Sequence, residues 1–221
     1  MSSTWRALRA RRLATEWFRR DVVTVARELI GTALVHGTKA GVIVETEAYL
    51  GPDDLASHTR FGITARNSVM FGPGGVAYVY LCYGIHEMFN VVTGGDGEGQ
   101  AVLIRAIAPL SGIPDDHTIG RGPGKVTKAL GIDRSLDRKD LGKGPLFVAE
   151  VDLSQPPNVA WATVPAKHIA SGPRVGVDFA GNDWKARPLR FWWRDHPSVS
   201  RQSGSRGPVA AARKVSTRRS R

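Results

Sequence analysis

Residues 42–49 read Val-Ile-Val-Glu-Thr-Glu-Ala-Tyr, a run that predicts a β-strand and decides the fold prediction. Successive side chains of a strand point to opposite faces. The even-numbered residues share a face that suits a core, and the odd-numbered face carries Ile43, Glu45, Glu47 and Tyr49. Two carboxylates and a tyrosine on one face are unusual for simple packing, although an isolated Glu-x-Glu is more often a solvated sheet face.

A predicted hairpin over residues 76–93 carries the other three tyrosines of the chain. Tyr78 and Tyr80 share a face of its first strand, and Tyr83 falls at the turn beside Gly84. Tyrosines are commonly half-buried strand residues. Their clustering near the two carboxylates favours a pocket that stacks a flat ring and does acid/base chemistry beside it.

The rest of the chain reads as short strands and a few short helices separated by glycine-rich turns. Further strands are predicted at residues 32–35, 101–107, 146–151, 174–177 and 189–193, and helices at residues 22–29 and from residues 120–125 to about 130. This pattern predicts an α+β fold: a single domain with a mostly antiparallel β-sheet, short flanking helices and a protruding β-hairpin. We expect the domain to span residues 1–200 and residues 201–221 to form a disordered tail.

The charge of the chain is concentrated in that tail. The 221 residues include 31 Lys+Arg and 20 Asp+Glu. Seven of the basic residues and none of the acidic ones lie at 201–221, which leaves 24 against 20 in the remainder. A basic tail of this kind indicates an arm for nucleic acid or an anionic surface, or a solubilising tail.

The composition also bears on metal sites and location. A single cysteine, Cys82, excludes an intramolecular disulfide and a Cys-rich metal site within this chain, and the histidines lack metal-ligand spacing. No run approaches the ~20 apolar residues needed to span a bilayer. The arginine-rich N-terminus lacks the apolar centre of a signal peptide. We therefore expect a soluble cytoplasmic protein without a metal site.

Residues 120–125, Gly-Arg-Gly-Pro-Gly-Lys, resemble a phosphate-binding turn at the start of a helix. Backbone N–H groups and the helix dipole favour anions there. Gly-Pro-Gly is also an ordinary turn, and the Walker A pattern is absent. Near a DNA duplex, Gly122, Gly124 and Lys125 would suit contacts to the sugar-phosphate backbone.

A series of short motifs resembles, in order and spacing, the alkyladenine (3-methyladenine or alkylpurine) DNA glycosylases, the monofunctional type found in mammals and many bacteria. The motifs are Glu-Thr-Glu-Ala-Tyr-Leu-Gly-Pro (45–52), Ala-Ser-His (56–58), Arg-Asn (66–67), Met-Phe (70–71), Tyr-Val-Tyr (78–80), Tyr-Gly (83–84), Asn90, Val-Leu-Ile-Arg-Ala (102–106), Gly-Pro-Gly-Lys (122–125), Ala-Leu-Gly-Ile (129–132) and Arg-Pro-Leu-Arg-Phe (187–191). Each motif is short, but the ordered set is highly specific, and the resemblance as a whole runs from about residue 18 to residue 193.

The resemblance implies an enzyme that flips a damaged purine out of double-stranded DNA and hydrolyses its N-glycosidic bond. Glu47 matches the catalytic residue that orients and deprotonates a water, and Arg105 matches the arginine that helps to place this water. Tyr83 matches the intercalating tyrosine that fills the gap left in the duplex.

The base pocket is implied by the same resemblance. Tyr49, His58 and Tyr80 match the side chains that stack on the flipped base. Asn90 matches a pocket-floor residue that crowds the exocyclic amino group of normal guanine, and Leu103 matches a neighbouring wall. No lysine stands in for a Schiff-base nucleophile. The implied enzyme is a cytoplasmic, nucleoid-associated monomer that uses no metal or organic cofactor and leaves an abasic site.

Two features depart from the family pattern. Glu87 is an acidic residue near the DNA-facing hairpin and would weaken binding unless an arginine pairs with it. The loop at residues 60–67 is one residue shorter than in the mammalian form. Two alternatives stay open: a non-catalytic nucleic-acid-binding module of the same fold, and a sugar hydrolase that uses Glu45 and Glu47, ~7 Å apart, as an inverting pair.

Overall fold

The computed structural model describes residues 3–152 and 164–200 of the chain. At the centre of this part of the chain is an antiparallel sheet of eight strands, which confirms the predicted α+β fold. The strands are β1 (Ala33–His36), β2 (Lys39–Tyr49), β3 (Ala77–Cys82), β4 (His86–Thr93), β5 (Gln100–Ser111), β6 (Leu146–Ala149), β7 (Ile169–Gly172) and β8 (Arg190–Trp193). The tail predicted at residues 201–221 lies outside the described residues.

The sheet is organised around β2. The strand order is β3-β4-β5-β2-β1-β6. β5 pairs along one edge of β2, whereas β1 and then β8 pair along the other edge. β7 pairs with β8, and β3 and β4 form the predicted hairpin. This arrangement brings strands from both ends of the chain to β2.

Four short α-helices flank the sheet within the described residues. They are α1 (Ser3–Ala10), α2 (Val22–Glu28), α3 (Pro123–Leu130) and α4 (Gly181–Ala186). At the start of the predicted helix, Asp21 caps α2 by accepting a hydrogen bond from the Thr24 backbone N–H at 2.8 Å. Gly131 ends α3 in the left-handed conformation, with φ 69°. No helix in residues 3–152 and 164–200 is long and apolar enough to cross a membrane.

The main core packs α2 and α3 against the central strands. Val25 of α2, Leu130 of α3 and Ile104 of β5 are all buried in one apolar cluster. Glu45 and Glu47 on β2 have no exposed surface, so the alternative of a solvated sheet face does not apply to this strand. The pairing of β2 with β5 is also irregular on both sides of Glu45, so the strand is distorted at this carboxylate.

The strand predicted at residues 174–177 is wrong. This segment is a loop, and β7 lies just before it. The Val175 N–H, which a strand would use in its ladder, donates instead to the Glu47 carboxylate at 2.7 Å. The buried Arg174 side chain pairs with Asp54. Bonds to buried carboxylates, rather than strand propensity, therefore set the backbone here.

Candidate active site

One row of side chains crosses five strands of the sheet. Tyr78 on β3 opposes Asn90 on β4, and Asn90 opposes Leu103 on β5. Leu103 opposes Glu47 on β2, and Glu47 opposes Arg190 on β8. Directly opposed residues of an antiparallel sheet project from the same face. The pairing register thus brings together Glu47, Asn90 and Leu103, which the sequence analysis singled out on three separate segments.

A cavity of about 450 Å³ opens beside this row. Its size lies in the range of small-ligand sites. The residues predicted to contact the base, Tyr49, His58, Tyr80, Asn90 and Leu103, all line it, as do Arg105 and Tyr83. Tyr78, which belongs to the predicted tyrosine cluster, also lines it, and so do Arg66, Met70, Val175 and Phe179, for which no role was predicted.

Glu47 lies directly behind the cavity wall. Its Oε1 accepts a hydrogen bond from the Val175 N–H at 2.7 Å. Its Oε2 accepts one from the Tyr49 hydroxyl at 3.0 Å and pairs with Nη1 of Arg105 at 3.3 Å. All three partners line the cavity. A single layer of contacts therefore separates this carboxylate from the cavity.

Arg105 links two carboxylates. While its Nη1 faces Glu47, its Nε donates to Oε1 of Glu45 at 3.0 Å. Burial acts to lower the pKa of Arg105, but the charges of Glu47 and Glu45 outweigh it and raise the pKa above its ordinary value. Arg105 is therefore a fixed positive charge at the cavity wall.

Glu45 is enclosed by hydrogen-bond donors. Its Oε1 also accepts from Nε of Arg190 and from the Ser200 hydroxyl, both at 2.7 Å. Its Oε2 accepts from the Ser200 N–H at 2.6 Å. Glu45 is not among the described residues that line the cavity. This geometry gives no support to a hydrolase in which Glu45 and Glu47 act together on a sugar.

A second buried ion pair supports Tyr49 from behind. Arg174 donates to the two oxygens of Asp54 at 2.5 and 2.8 Å and to the Ala48 carbonyl at 2.9 Å. Its guanidinium lies 4.8 Å from the centre of the Tyr49 ring. We call the six buried charged side chains of the described residues the buried ion cluster: Glu45, Glu47, Asp54, Arg105, Arg174 and Arg190.

His58, Tyr78 and Tyr80 form an aromatic wall of the cavity. The His58 and Tyr80 ring centres lie 4.6 Å apart, and Nδ1 of His58 lies 2.9 Å from the Tyr78 hydroxyl. Burial, together with the charges of Arg66 and Arg60, lowers the pKa of His58 to about 4. Burial raises the pKa of Tyr78 to about 12. Both rings are therefore neutral at physiological pH.

The tip of the β3–β4 hairpin, residues 83–85, exposes two large apolar side chains. Tyr83 is 93% exposed and Ile85 is 73% exposed. Tyr83 has φ 49°, Gly84 has φ 70°, and the Ile85 N–H donates to the Cys82 carbonyl at 3.0 Å. A positive φ at both central residues has the sign pattern of a type I′ turn and is costly for a bulky residue. Strain at an exposed aromatic residue indicates a functional role.

Glu87, the acidic residue of the hairpin, has a basic partner. Its Oε1 pairs with Nε of Arg134 at 3.0 Å. Its carbonyl accepts a hydrogen bond from the Thr127 hydroxyl of α3 at 2.9 Å. The arginine partner that the prediction required for Glu87 is therefore present, and it offsets the negative charge of this side chain.

As predicted, residues 120–125 open α3: residues 120–122 form the turn before the helix, and residues 123–125 are its first residues. Gly122 has φ 120°, and no atom lies within 4 Å of where its Cβ would be, so its backbone faces open space. A Cβ at Gly124 would lie 3.0 Å from the His86 side chain, so the start of α3 packs closely against the hairpin. Lys125 is exposed.

The residues that hold the site from behind were not predicted from the sequence. Arg190 and Ser200 close on Glu45, and Asp54 pairs with Arg174. A family-like motif contains Arg190 but does not reveal its partner. Ser200 lies 155 positions from Glu45, and no local sequence feature indicates their contact.

Comparison with known proteins identifies the family. The methylpurine-DNA glycosylase family profile matches residues 16–197. A Myxococcus xanthus protein named as a candidate 3-methyladenine DNA glycosylase is 44% identical over 206 residues, which cover 91% of this chain and 97% of the relative. A protein of the same name from an Anaeromyxobacter species is 46% identical over 208 residues, covering 92% and 100%. One from Legionella pneumophila is 44% identical over 195 residues, covering 86% and 99%. The chain belongs to the methylpurine-DNA glycosylase family and is a DNA-repair hydrolase that cleaves N-glycosyl bonds.

Proposed function

We propose that this enzyme flips an alkylated or deaminated purine out of duplex DNA and hydrolyses its N-glycosidic bond with a water activated by Glu47. The observation that carries the proposal is the contact between the buried Glu47 carboxylate and three cavity-lining groups, from Tyr49, Arg105 and Val175. Such a site has a pocket that holds a flat ring and, next to it, a carboxylate charge beside the bond that is cut. The names of the relatives support alkylated purines, 3-methyladenine among them, as substrates.

The aromatic side chains of the cavity supply recognition of the base. Stacking between a base and an aromatic ring contributes ~1–3 kcal/mol. An electron-poor alkylated purine gains further from the π-faces of Tyr49 and Tyr80. Because its pKa is lowered to about 4, His58 is neutral and does not repel a cationic purine.

Glu47 supplies the chemistry. The water oxygen bonds to C1′, its proton passes to Glu47, and the C1′–N bond breaks with its electron pair going to the base. The carboxylate charge also stabilises the oxocarbenium-like sugar. The Tyr49 hydroxyl donates to Oε2 of Glu47, and a carboxylate oxygen can accept a further hydrogen bond from the water. Arg105, 3.3 Å from the same oxygen, helps to hold the water there.

The floor of the cavity supplies selectivity. Asn90 and Leu103 oppose each other on β4 and β5 and lead directly to Glu47 on β2. Nδ2 of Asn90 donates to the Tyr78 carbonyl at 3.2 Å, which restrains the amide. We propose that Asn90 crowds the exocyclic amino group of guanine and that Leu103 forms the adjacent wall.

The hairpin and the start of α3 hold the DNA. Tyr83 fills the gap left by the flipped nucleotide, while Gly122 and Gly124 offer backbone N–H groups and Lys125 offers its charge to the phosphates. One chain supplies all these groups, so we propose that a monomer suffices and that residues 1–200 contain the whole catalytic domain. The basic residues at 201–221 would add attraction to the DNA of the nucleoid.

The test is base release by the wild type and by Glu47→Gln. The substrates are duplexes with one hypoxanthine or one ethenoadenine, and DNA alkylated in bulk. We expect release by the wild type and a loss of about 100- to 10,000-fold in Glu47→Gln, the usual contribution of a general base. Glu98→Gln, at an exposed turn, is the control and should keep the wild-type rate. Both variants should still bind a duplex that carries an abasic analogue.

Release at the wild-type rate by Glu47→Gln would rule out Glu47 as the base. If the wild type released no base from any substrate yet bound the lesions tightly, the alternative of a non-catalytic damaged-DNA-binding module would replace the proposal.

A further inference from the structure

Glu45 organises the ionic side of the site although it does not touch the cavity. Among the described residues it accepts four hydrogen bonds, one each from Arg105 and Arg190 and two from Ser200. We propose that Glu45 is a positioning residue that aims Arg105 at Glu47, and that Arg190 and Ser200 lock Glu45 in place. The inference rests on the proposed function, because it assumes that Glu47 and Arg105 act in the reaction.

The shape of the guanidinium makes this positioning possible. The group is planar and its donors keep a fixed relative geometry. When Nε of Arg105 is bound to Glu45 at 3.0 Å, the direction of Nη1 is set as well, and it lies 3.3 Å from Oε2 of Glu47. Without its bond to Glu45, the Arg105 side chain could rotate and move away from the Glu47 carboxylate, which the reaction uses.

The charges of the four side chains give a second reason. Glu45 and Glu47 carry two negative charges, and Arg105 and Arg190 carry two positive charges. The contacts divide them: Arg190 binds Glu45, whereas Arg105 bridges Glu45 and Glu47. Because Arg190 pairs with Glu45, its charge is balanced there. Among the described residues, Arg105 is then the one arginine that forms an ion pair with Glu47, and its position is fixed.

Residues 197–200, which we call the C-terminal clasp, complete the lock. The N–H and hydroxyl of Ser200 bind Glu45, and the Ser200 carbonyl accepts from Nη2 of Arg190 at 3.2 Å. The Pro197 carbonyl accepts from Nη2 of Arg121, which lies within the glycine-rich turn before α3. The clasp therefore ties the end of the described chain both to the buried carboxylate and to the proposed DNA-backbone contact.

A purely structural ion cluster would behave differently from a positioning one. The presence of a buried ion pair is weak evidence that the pair adds to stability. Removal of one partner of a purely structural pair destabilises the fold, which is measured as a lower melting temperature. A positioning residue lowers instead the rate constant of each folded molecule, because an interaction needed in the transition state is misplaced while substrate binding is kept. The two roles are separated by single-turnover kinetics performed well below the melting temperature.

The experiment compares four variants on one hypoxanthine duplex with enzyme in excess. Ser200→Ala removes one donor to Glu45, Ser200→Thr keeps the hydroxyl, and Glu45→Gln removes the negative charge. Ser198→Ala is the matched control, since Ser198 is buried in the same clasp and its hydroxyl has no hydrogen-bond partner among the described residues. The maximal rate constant, the half-saturating enzyme concentration and the melting temperature are measured for each variant.

We expect the rate constant to fall about tenfold in Ser200→Ala, the effect of one hydrogen bond to a charged group. It should fall about 100-fold in Glu45→Gln, the effect of misplacing a reacting group by about 1 Å. The half-saturating concentration should change by less than about threefold, because base and backbone contacts remain. Ser200→Thr should recover most of the rate, and Ser198→Ala should match the wild type.

Wild-type rate constants in both Ser200→Ala and Glu45→Gln, with only lower melting temperatures, would overturn the positioning role. If Glu45→Gln does not fold, Ser200→Ala against Ser198→Ala decides alone. Glu47→Gln, assayed in parallel, separates the two proposals. An active Glu47→Gln overturns the proposed function and this inference with it, whereas an inactive Glu47→Gln beside unaffected Ser200 and Glu45 variants overturns only the inference.

Discussion

The buried ion cluster and the hairpin tip depart from the usual distribution of residues in opposite directions. The cluster places six charged side chains in the interior, and the tip places Tyr83 and Ile85 in solvent. Charged residues are rarely buried unless they are paired, and a large exposed apolar group often marks an interaction site. Arg105 of the cluster and Tyr83 of the tip line the same cavity. Both exceptions therefore meet at one cavity, the site of the proposed reaction.

The two regions differ in what holds them in place. Ion pairs between distant segments hold the cluster, as in the contact of Arg174 with Asp54. A local turn closed by the Ile85 N–H and the Cys82 carbonyl holds the tip. A change in the cluster should therefore alter both stability and activity, whereas a change at the tip should alter activity alone.

The largest effect on stability is expected from Arg174→Met. The change removes the partner of a carboxylate that is fully buried, although Asp54 keeps its bonds from the Leu50 and Ala56 N–H groups. Breaking a buried pair from one side costs about 3–5 kcal/mol. Urea denaturation should show a loss of this size in the free energy of unfolding.

The control for Arg174→Met is Arg187→Met, which breaks the exposed pair with Asp183. Exposed pairs contribute about 0–1 kcal/mol, so little change is expected. Equal losses in the two variants would mean that burial of the Arg174 pair has no special effect on stability.

The pH dependence of the free energy of unfolding tests the role of His58, which lies in the cavity wall between the buried ion cluster and the hairpin tip. The pKa of His58 is about 4 in the folded protein and 6.5 ordinarily, so the unfolded chain binds the proton first as the pH falls. Neutral His58 makes its full contribution to the free energy of unfolding above pH 6.5, and this contribution is lost as the pH falls towards 4. It amounts to roughly 3 kcal/mol at most, since one pKa unit corresponds to about 1.4 kcal/mol. Denaturation of His58→Phe from pH 7 to 4 should show a shallower loss than the wild type.

His196 provides the control for the histidine experiment. Burial also lowers its pKa to about 4, but it lies beside Trp193 and not among the described residues that line the cavity. His196→Phe should flatten the same pH range without weakening the binding of lesion DNA. An unchanged pH dependence in His58→Phe would show that His58 does not couple protonation to folding.

The sequence was sufficient to predict the elements whose signals are local. Asp21 at the start of α2 and Gly131 at the end of α3 are capping residues whose chemistry can be read directly. The tyrosines of β3 and the turn at Tyr83 follow from strand alternation and turn chemistry. The same local rules were sufficient to predict the hairpin tip.

The buried ion cluster could not be predicted in this way, because its contacts depend on register and long-range closure. Alternation alone left Glu45 and Glu47 on a face that could be solvated. That face is buried by groups from distant segments, such as the N–H groups of Val175 and Ser200, which bind the two carboxylates. The segment at residues 174–177 was predicted as a strand because the local sequence does not show that Val175 binds Glu47 and Arg174 binds Asp54.

Tyr83→Gly is expected to give the smallest change in stability and the clearest separation of the two regions. Relief of the left-handed conformation, φ 49°, favours folding by about 1–2 kcal/mol, while the added freedom of glycine in the unfolded chain opposes it by about 0.5–1 kcal/mol. The free energy of unfolding should stay within about 1 kcal/mol of the wild-type value. Base release should nevertheless fall about 10- to 100-fold, because unstacking a base costs a few kcal/mol that the wedge offsets.

Two comparisons sharpen the Tyr83→Gly experiment. Tyr83→Phe keeps an aromatic wedge in the same strained turn and should release base at nearly the wild-type rate. A lesion opposite a mismatched base is already partly unstacked, so the deficit of Tyr83→Gly should shrink on that duplex. An equal deficit on matched and mismatched duplexes would mean that Tyr83 acts after flipping, and the tip would then join the buried ion cluster as part of the chemical step.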